Sequence, residues 1–168
     1  QDSARVVGYI AGYHAGLEFS TVTLRANNDL TFEKRPIVSK IDSMGRFMCT
    51  IAMNHPRMVT ISFGEEFMDL YLEPGQTLAL SFDWKDCVRT DCFRKAKEVN
   101  QVLLLQGSLA RLNYELKAFK LKTLGNRHYW IINSYSPQAY LAVIDSILIE
   151  NEASVKEALA SGKYLKRP

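Results

Sequence analysis

The stretch VTISFGEEFMDLYLEPGQTLALSFDW, residues 59–84, decides the fold of this chain. Apolar and polar side chains alternate with a period of two from Met68 to Leu72 and again from Thr77 to Trp84. This alternation is typical of a β-strand with one buried face. The side chains expected to face inward are Met68, Leu70, Leu72, Leu78, Leu80, Phe82 and Trp84.

A turn, Glu73-Pro74-Gly75-Gln76, separates the two alternating runs. Proline holds φ near −65°, which suits the second position of a type II turn, and glycine readily takes the positive φ of the third position. Glu73, Pro74 and Gly75 are therefore assigned a structural role. Two alternating runs joined by a turn predict a β-hairpin, in which the runs pair with each other. We expect the Gln76 side chain to lie in solvent.

The residues before residue 64 continue the strand pattern. The predicted strands cover residues 5–13, 17–26, 33–41, 47–53 and 59–63, and the side chains expected to face inward from the last two are Phe47, Cys49, Ile51, Met53, Val59, Ile61 and Phe63. Pro36 lacks a backbone N–H, so its strand must begin after it or run along the edge of a sheet. Asp42-Ser43-Met44-Gly45 predicts a second turn. Short strands at turn spacings of about ten residues favour a small antiparallel sandwich or barrel, and we assign residues 1–90 to a β-sandwich.

The residues after Trp84 follow the helical period instead. Apolar side chains step by three and four at Val102, Leu105, Leu109, Leu112, Leu116 and Phe119. Gly107-Ser108 interrupts this stripe, with Ser108 as the N-cap of a helix that runs to about Lys122. Ser136-Pro137 predicts the start of another helix. Ser154-x-x-Glu157 is a capping-box pattern and predicts a last helix that ends near Gly162.

Charge also separates the two parts of the chain. Residues 1–84 carry 7 lysines and arginines against 10 acidic residues, whereas residues 85–168 carry 14 against 8. We place the boundary within the polar segment Lys85 to Lys95. Residues 95–168 then form a segment of short helices that is stable only when packed on the sandwich or on a further C-terminal domain. The fold class is α+β.

The composition excludes some classes of partner. With 168 residues, 47% of them hydrophobic, and a net charge of +3, the chain is an ordinary globular protein of one domain or one domain with an appendage. Its longest apolar runs fall far short of the roughly 20 residues that span a bilayer, so no membrane span is predicted. A pI of about 8.7 without a dense basic run gives little support for a nucleic-acid partner, and we predict none.

The chain has three cysteines, of which Cys87 and Cys92 are the local pair. Their spacing is not the Cys-x-x-Cys of a thioredoxin-type redox site, so we interpret them as ordinary thiols or as a structural bridge. Cys49 has the pattern of a small core residue. The histidines, His14, His55 and His128, have no partners at metal-ligand spacing.

No motif of catalysis stands out. The densest carboxylate group is Glu65, Glu66, Asp69 and Glu73, which fits a solvated turn better than an acid–base pair or a calcium loop. The cations Arg111, Lys117, Lys120 and Lys122 lie opposite the apolar stripe and predict a wet helix face. Serine-nucleophile and phosphate-loop signatures are missing. We predict no catalytic residue, no cofactor-binding residue, no cofactor and no metal site.

Four segments carry a resemblance to a known family. They are VVGYIAGY (6–13), IDSMGRF (41–47), DLYLEPGQTLALSFDW (69–84) and QGSLARLNYEL (106–116). The second is similar to the family pattern V-D-x-x-G-x-F, and the third to a segment ending in E-P-G-D, with Gln76 in place of the acid. Together they resemble the N-terminal domain that precedes the thioredoxin-like domain in exported TlpA-type thiol:disulfide oxidoreductases of certain Gram-negative bacteria.

The resemblance implies a non-catalytic accessory domain that binds or positions a partner. The partner would be a C-terminal thioredoxin-like domain or another envelope protein, and the location the periplasm or cell envelope. In such an oxidising compartment a Cys87–Cys92 disulfide is expected. The alternatives are a stand-alone ligand-binding or adhesion β-sandwich of the cell envelope and, third, an enzyme that uses the acidic turn.

Overall fold

The computed structural model describes residues 2–17, 19–27, 34–63, 66–84, 104–119, 121, 135–162 and 164. These residues form two compact units, Gln1–Ala118 and Phe119–Pro168. The strands are β1 (Asp2–Ala11), β2 (Thr21–Asn27), β3 (Lys34–Lys40), β4 (Arg46–Met53), β5 (Arg57–Phe63), β6 (Glu66–Leu72), β7 (Thr77–Asp83) and β8 (Leu104–Gln106). The helices are α1 (Ala110–Ala118) and α2 (Pro137–Ala160).

The strands form two four-stranded sheets, which confirms the predicted β-sandwich followed by helices. Sheet I has the strand order β4-β1-β7-β8, and sheet II has the order β3-β2-β5-β6. Neighbouring strands are antiparallel with one exception, the parallel pair β1–β7. A parallel pair requires a long connection, and here the connection is the whole of sheet II together with β4.

The predicted hairpin around Gly75 is wrong, although its turn is present. Gly75 has φ 75°, and the Gln76 N–H donates to the Glu73 carbonyl at 3.2 Å. However, β6 pairs with β5 in sheet II, and β7 pairs with β1 in sheet I. Hairpins favour the mirror-image turns, because turns of types I and II splay the flanking strands apart. The Pro-Gly turn therefore carries the chain from one sheet to the other.

The alternating residues fill the space between the sheets as predicted. The inward positions of strands β4, β5, β6 and β7 are buried, namely Phe47, Cys49, Ile51, Met53, Val59, Ile61, Phe63, Met68, Leu70, Leu72, Leu78, Leu80 and Phe82. The Phe63 ring meets Phe47 from sheet I with centroids 5.5 Å apart and Phe82 with centroids 4.9 Å apart. Trp84 is partly buried at the margin of this core. Burial of these side chains is the main stabilising contribution to the sandwich.

The segment around Leu105 corrects the helical prediction. Residues 104–106 form the short strand β8, in which Leu105 lies opposite Leu80 and is buried. Apolar residues spaced by three and four fit a helix, but they also fit a strand followed by a turn. The pairing with β7 decides in favour of the strand. Ser108 does not cap a helix but donates to the Gln76 side chain at 2.6 Å, so Gln76 also has a partner. Helix α1 begins at Ala110 and ends at Ala118, four residues before the predicted end.

In the second unit, helix α2 begins as predicted. Ser136 is the N-cap, and its hydroxyl accepts the Ala139 N–H at 3.2 Å. The break predicted at Ser154 is wrong, because its hydroxyl donates to the Glu150 carbonyl at 2.9 Å within a continuous helix. The helix ends at Ala160, with Ser161 as its C-cap next to Gly162 with φ 66°, close to the end that the sequence predicts. None of the side chains of α2 is buried.

The boundary predicted within residues 85–95 lies outside the described residues and stays a prediction. The first compact unit contains β8 and α1 as well as the other strands. Cys87 and Cys92 also lie outside the described residues, so a disulfide between them stays a prediction. In the part of the chain that the structure describes, no helix is long and apolar enough to cross a membrane.

A groove on the outer face of sheet I

The outer face of sheet I follows from the alternation that builds the core. Because Val6 and Leu80 face inward, Val7 and Ala79 face outward. The strand register places Val7 opposite Met48 on one side and opposite Ala79 on the other. Two residues along, Tyr9 lies between Arg46 and Ser81. Strand β8 extends these two rows with Gln106 and Leu104.

A groove of about 360 Å³ runs across these rows. The outward side chains that line it are Val7, Tyr9, Arg46, Ala79, Ser81, Leu104 and Gln106. The smallest of them, Ala79 and Ser81, lie on β7 in the middle, whereas Tyr9 and Leu104 stand on either side with 46% and 52% of their surface exposed. Small side chains between larger ones produce the depression. The floor is apolar, and the polar groups of the described lining residues are a guanidinium, an amide and two hydroxyls.

Arg46 is held in place by the turn before β4. The Asp42 carboxylate accepts the backbone N–H groups of Met44 and Arg46, each at 2.9 Å, and the Arg46 Nε–H at 2.8 Å. The backbone N–H of Arg46 is the main reason that the pKa of Asp42 is held below its usual value. Asp42 therefore stays ionised near neutral pH and orients the arginine side chain beside the groove.

Gly45 makes this turn rigid. It has φ 79°, and its N–H donates to the Asp42 carbonyl at 2.9 Å, as the predicted turn requires. Its own carbonyl accepts the Ile10 N–H at 2.8 Å. A Cβ atom at this position would lie 2.3 Å from the Ile10 carbonyl oxygen and 2.8 Å from the Tyr13 side chain. Only glycine fits both the backbone angle and the space.

The outer face of sheet II has a different character. Its central row places Thr23 opposite Ser62, and the next row places Thr60 opposite Asp69. The Thr60 hydroxyl donates to the Asp69 carboxylate at 2.7 Å. Of the four acidic residues singled out in the sequence, Glu65 and the side chain of Glu66 lie outside the described residues. Asp69 is exposed on β6, and Glu73 lies in the turn that follows it.

Helix α1 holds functional groups that the sequence pattern did not reveal. Asn113, the buried residue of the helix, accepts the Tyr71 N–H at 2.8 Å and donates to the Tyr71 carbonyl at 3.0 Å. The Tyr114 hydroxyl accepts the Leu105 N–H at 2.6 Å. The apolar stripe predicted Leu116 on the inner face, but 40% of its surface is exposed. Long-range partners, not local spacing, decide which face of this helix is covered.

Lys117 corrects the prediction of a wet helix face. Its ammonium group lies 3.7 Å from the Met68 sulfur, and desolvation lowers its pKa to about 8, against a smaller opposing effect from Asp69. Arg111, by contrast, is exposed and pairs with Glu115 on the same helix at 2.8 Å. Lys120 and Lys122 lie outside the described residues. Lys117 is thus the cation of this helix that lies against a strand.

The cysteine and histidine residues form no cluster in the described parts of the chain. Cys49 is buried as predicted, and burial raises the pKa of its thiol. His14 meets Trp84 edge-on with ring centroids 5.4 Å apart, and its Nδ1 accepts the Gly16 N–H at 3.2 Å. His128 lies outside the described residues. Among those that are described, no three His, Cys, Asp or Glu side chains are placed to hold a metal ion.

Comparison with known proteins adds little to this description. No protein-family model matches the sequence, and no curated protein matches it. Among solved structures, the chain is similar to a candidate cell adhesion protein from Bacteroides ovatus ATCC 8483, with 9% identity and a TM-score of 0.31. The match covers 64% of this chain and 43% of that protein. A likeness of this size carries no argument about fold or function.

Proposed function

We propose that this chain is a non-catalytic binding module that uses the groove on sheet I. The observation that carries the proposal is the groove itself, which has the volume of a small-molecule site and an apolar floor between larger flanking side chains. The sheet beneath it is anchored by the buried residues of the sandwich. A site on strands of a packed sheet is held more firmly than a site on loops.

The sequence resemblance suggests a setting for this module. In that setting it is the accessory domain of an exported thioredoxin-like thiol:disulfide oxidoreductase in the periplasm or cell envelope. It binds or positions a C-terminal thioredoxin-like domain or another envelope protein. The support is the likeness of the four segments, the longest of which, residues 69–84, forms the crossing between the two sheets.

The second candidate is a stand-alone ligand-binding or adhesion β-sandwich of the cell envelope. The size of the groove favours it, because about 360 Å³ accommodates a small molecule rather than the face of another domain. Reading the gene beyond codon 168 distinguishes the two settings. A βαβ pattern with Cys-x-x-Cys downstream supports the accessory domain, and its absence supports the stand-alone module.

Groove binding is tested with 1-anilinonaphthalene-8-sulfonate, a dye that fluoresces on apolar surfaces. We expect binding to the folded protein to be abolished by Ala79→Ile, which fills the middle of the groove. Thr23→Ile is the matched control, because Thr23 occupies an equivalent outward position on a central strand of sheet II. Both variants must melt cooperatively. Equal dye binding by the two variants would contradict the assignment of the site.

The absence of catalysis is tested by reduction of insulin with dithiothreitol. The 168 residues contain no Cys-x-x-Cys, so we expect turnover at the uncatalysed rate. Cys87→Ser and Cys92→Ser should behave like the unchanged chain. Turnover that depends on either cysteine would show that the C-x4-C pair is a redox site and that the chain is an enzyme.

A further inference from the structure

We infer that the groove on sheet I selects small amphipathic anions, with an aliphatic chain over Val7 and Ala79 and a carboxylate on Arg46. This inference rests on the proposed function, because it concerns the same groove, and it adds the chemical class of the ligand. Three features support it: the availability of the Arg46 guanidinium, the charge of the lining, and the size of the groove.

The first feature is the hydrogen bonding of Arg46. A guanidinium has five N–H donors in a planar fork, and Asp42 takes one of them, the Nε–H. The four donors on the two Nη atoms have no other protein partner in the part of the chain that the structure describes. Their edge has the geometry that receives a carboxylate through two parallel hydrogen bonds.

The second feature is the charge around the site. Among the described residues that line the groove, Arg46 is the one charged side chain, and none of the others carries a carboxylate. The Asp42 carboxylate already accepts three N–H groups, two from the backbone and one from Arg46. It therefore acts as a support that orients the guanidinium, with little accepting capacity left for a ligand. A cationic ligand would meet the like charge of the arginine and no acidic side chain among the described lining residues.

The third feature is size. A volume of about 360 Å³ holds on the order of a dozen water-sized groups. Octanoate, with about ten non-hydrogen atoms, fills most of this space, and its chain can lie along the row of Val7 and Ala79. Gln106 lies at the end of this row, opposite Ala79, and Ser81 lies in the neighbouring row. The groove is thus matched to a chain of about eight carbons.

The test compares three probes with the same chain, octanoate, octanamide and octylamine, by NMR titration of the folded protein at neutral pH. We expect octanoate to bind about three- to fivefold more tightly than octanamide, because 61% of the Arg46 side chain is exposed and such pairs are modest in strength. Octylamine should bind most weakly. The preference for octanoate should vanish between about 0.01 M and about 1 M salt, while octanamide binding persists.

Three variants separate this inference from the proposed function. Arg46→Gln should reduce octanoate binding to the level of octanamide, whereas Arg5→Gln should leave the preference intact. Arg5 is the matched control, since it lies on the same outer face, opposite Thr50 and Thr77, and does not line the groove. Ala79→Ile should abolish the binding of all three probes.

The outcomes are distinguishable. Equal binding of octanoate and octanamide, or a preference for octylamine, overturns the anion selectivity and leaves groove binding standing. Failure of all three probes to bind the unchanged protein overturns both. If Arg46→Gln does not fold, the salt titration of the unchanged protein decides, because a preference that survives about 1 M salt contradicts a role for the guanidinium.

Discussion

The two open sides of the sandwich are closed in different ways, one by a turn and the other by a helix. On one side, the edge strands β3 and β4 are joined by the turn Asp42–Gly45, and the Ser39 hydroxyl donates across the gap to the Met48 carbonyl at 2.8 Å. On the other side, helix α1 covers the edge strands β6 and β8 through Asn113 and Tyr114. The turn side uses residues that are close in sequence, whereas the helix side joins residues up to 42 positions apart.

The difference shows which parts of a fold can be predicted from local sequence. The turn has its own signature of an aspartate followed three residues later by glycine, because an Asx side chain bonds the backbone just ahead of it. The helix side has no local signature. An asparagine in a helix is unremarkable until the strand that it pairs with is known. The predictions below test each side, beginning with the largest expected effect.

The turn side depends most on Gly45. We expect Gly45→Val to lower the free energy of unfolding by about 3 kcal/mol or more, because it adds a positive-φ penalty to a collision with the Ile10 carbonyl. Gly75→Val is the control, since Gly75 has φ 75° but only the Asp2 side chain within 4 Å of the added atom. Its cost should be about 1 to 2 kcal/mol. Urea unfolding measures both, and equal losses would contradict the close approach at Gly45.

The helix side depends most on Asn113. Asn113→Leu should cost about 2 to 3 kcal/mol, because the Tyr71 N–H and carbonyl both lose their side-chain partner. Asn113→Asp keeps the acceptor and loses the donor, so its cost should lie in between. The exposed edge of β6 should also promote self-association, measurable by light scattering. A melting temperature unchanged by Asn113→Leu would mean that α1 does not close this side.

Tyr114 makes a smaller contribution on the same side. Tyr114→Phe should cost about 1 kcal/mol, because it removes the hydroxyl that accepts the Leu105 N–H and keeps the ring. Tyr9→Phe is the matched change on the outer face and should be nearly neutral, since Tyr9 is half exposed. Thermal unfolding of the two variants compares them. A larger loss for Tyr9→Phe would place the important hydroxyl in the groove rather than beneath the helix.

The smallest effect is the pH dependence that Lys117 contributes. Its pKa is about 8 in the folded chain and 10.5 in the reference state, so the unfolded chain binds more protons between these values. Stability should therefore rise from about pH 8 to about pH 10.5 relative to a Lys117→Met variant. Discounted for the exposed part of the side chain, we expect under about 1 kcal/mol. Parallel pH profiles for the two chains would show that Asp69 offsets the desolvation completely.

Alternation predicted the strands and their buried faces because it is a local consequence of the pleat. Pairing is not local, and the hairpin prediction at Gly75 failed for that reason. A signal was nevertheless present, since Pro-Gly favours a type II turn, whereas a tight hairpin favours Asn-Gly or Asp-Gly. For α1, the apolar spacing pointed to Leu116, and the buried side of the helix is set instead by Asn113 and its distant partner.

The groove was harder to foresee than the core. Ala79 and Ser81 occupy the outward positions of β7, where small and polar residues ordinarily mean a solvated face. They line a depression only because Tyr9 and Leu104 stand on either side of them. These two larger side chains come from strands that are far away in sequence. Arg46 follows a predicted turn, and its orientation by Asp42 could have been inferred from that turn. Its position beside the groove follows from the pairing of β4 with β1.

The parallel pairing of β1 with β7 constrains the order in which the chain can fold during synthesis. Strand β1 emerges from the ribosome before the other described strands, yet it lies in the interior of sheet I, between β4 and β7. The strands of sheet II all lie within residues 21–72, so they can associate before β7, the second neighbour of β1, has been synthesised. We expect the nascent chain to become protease-resistant only once β7 has emerged, with β1 inserted among the last strands to dock.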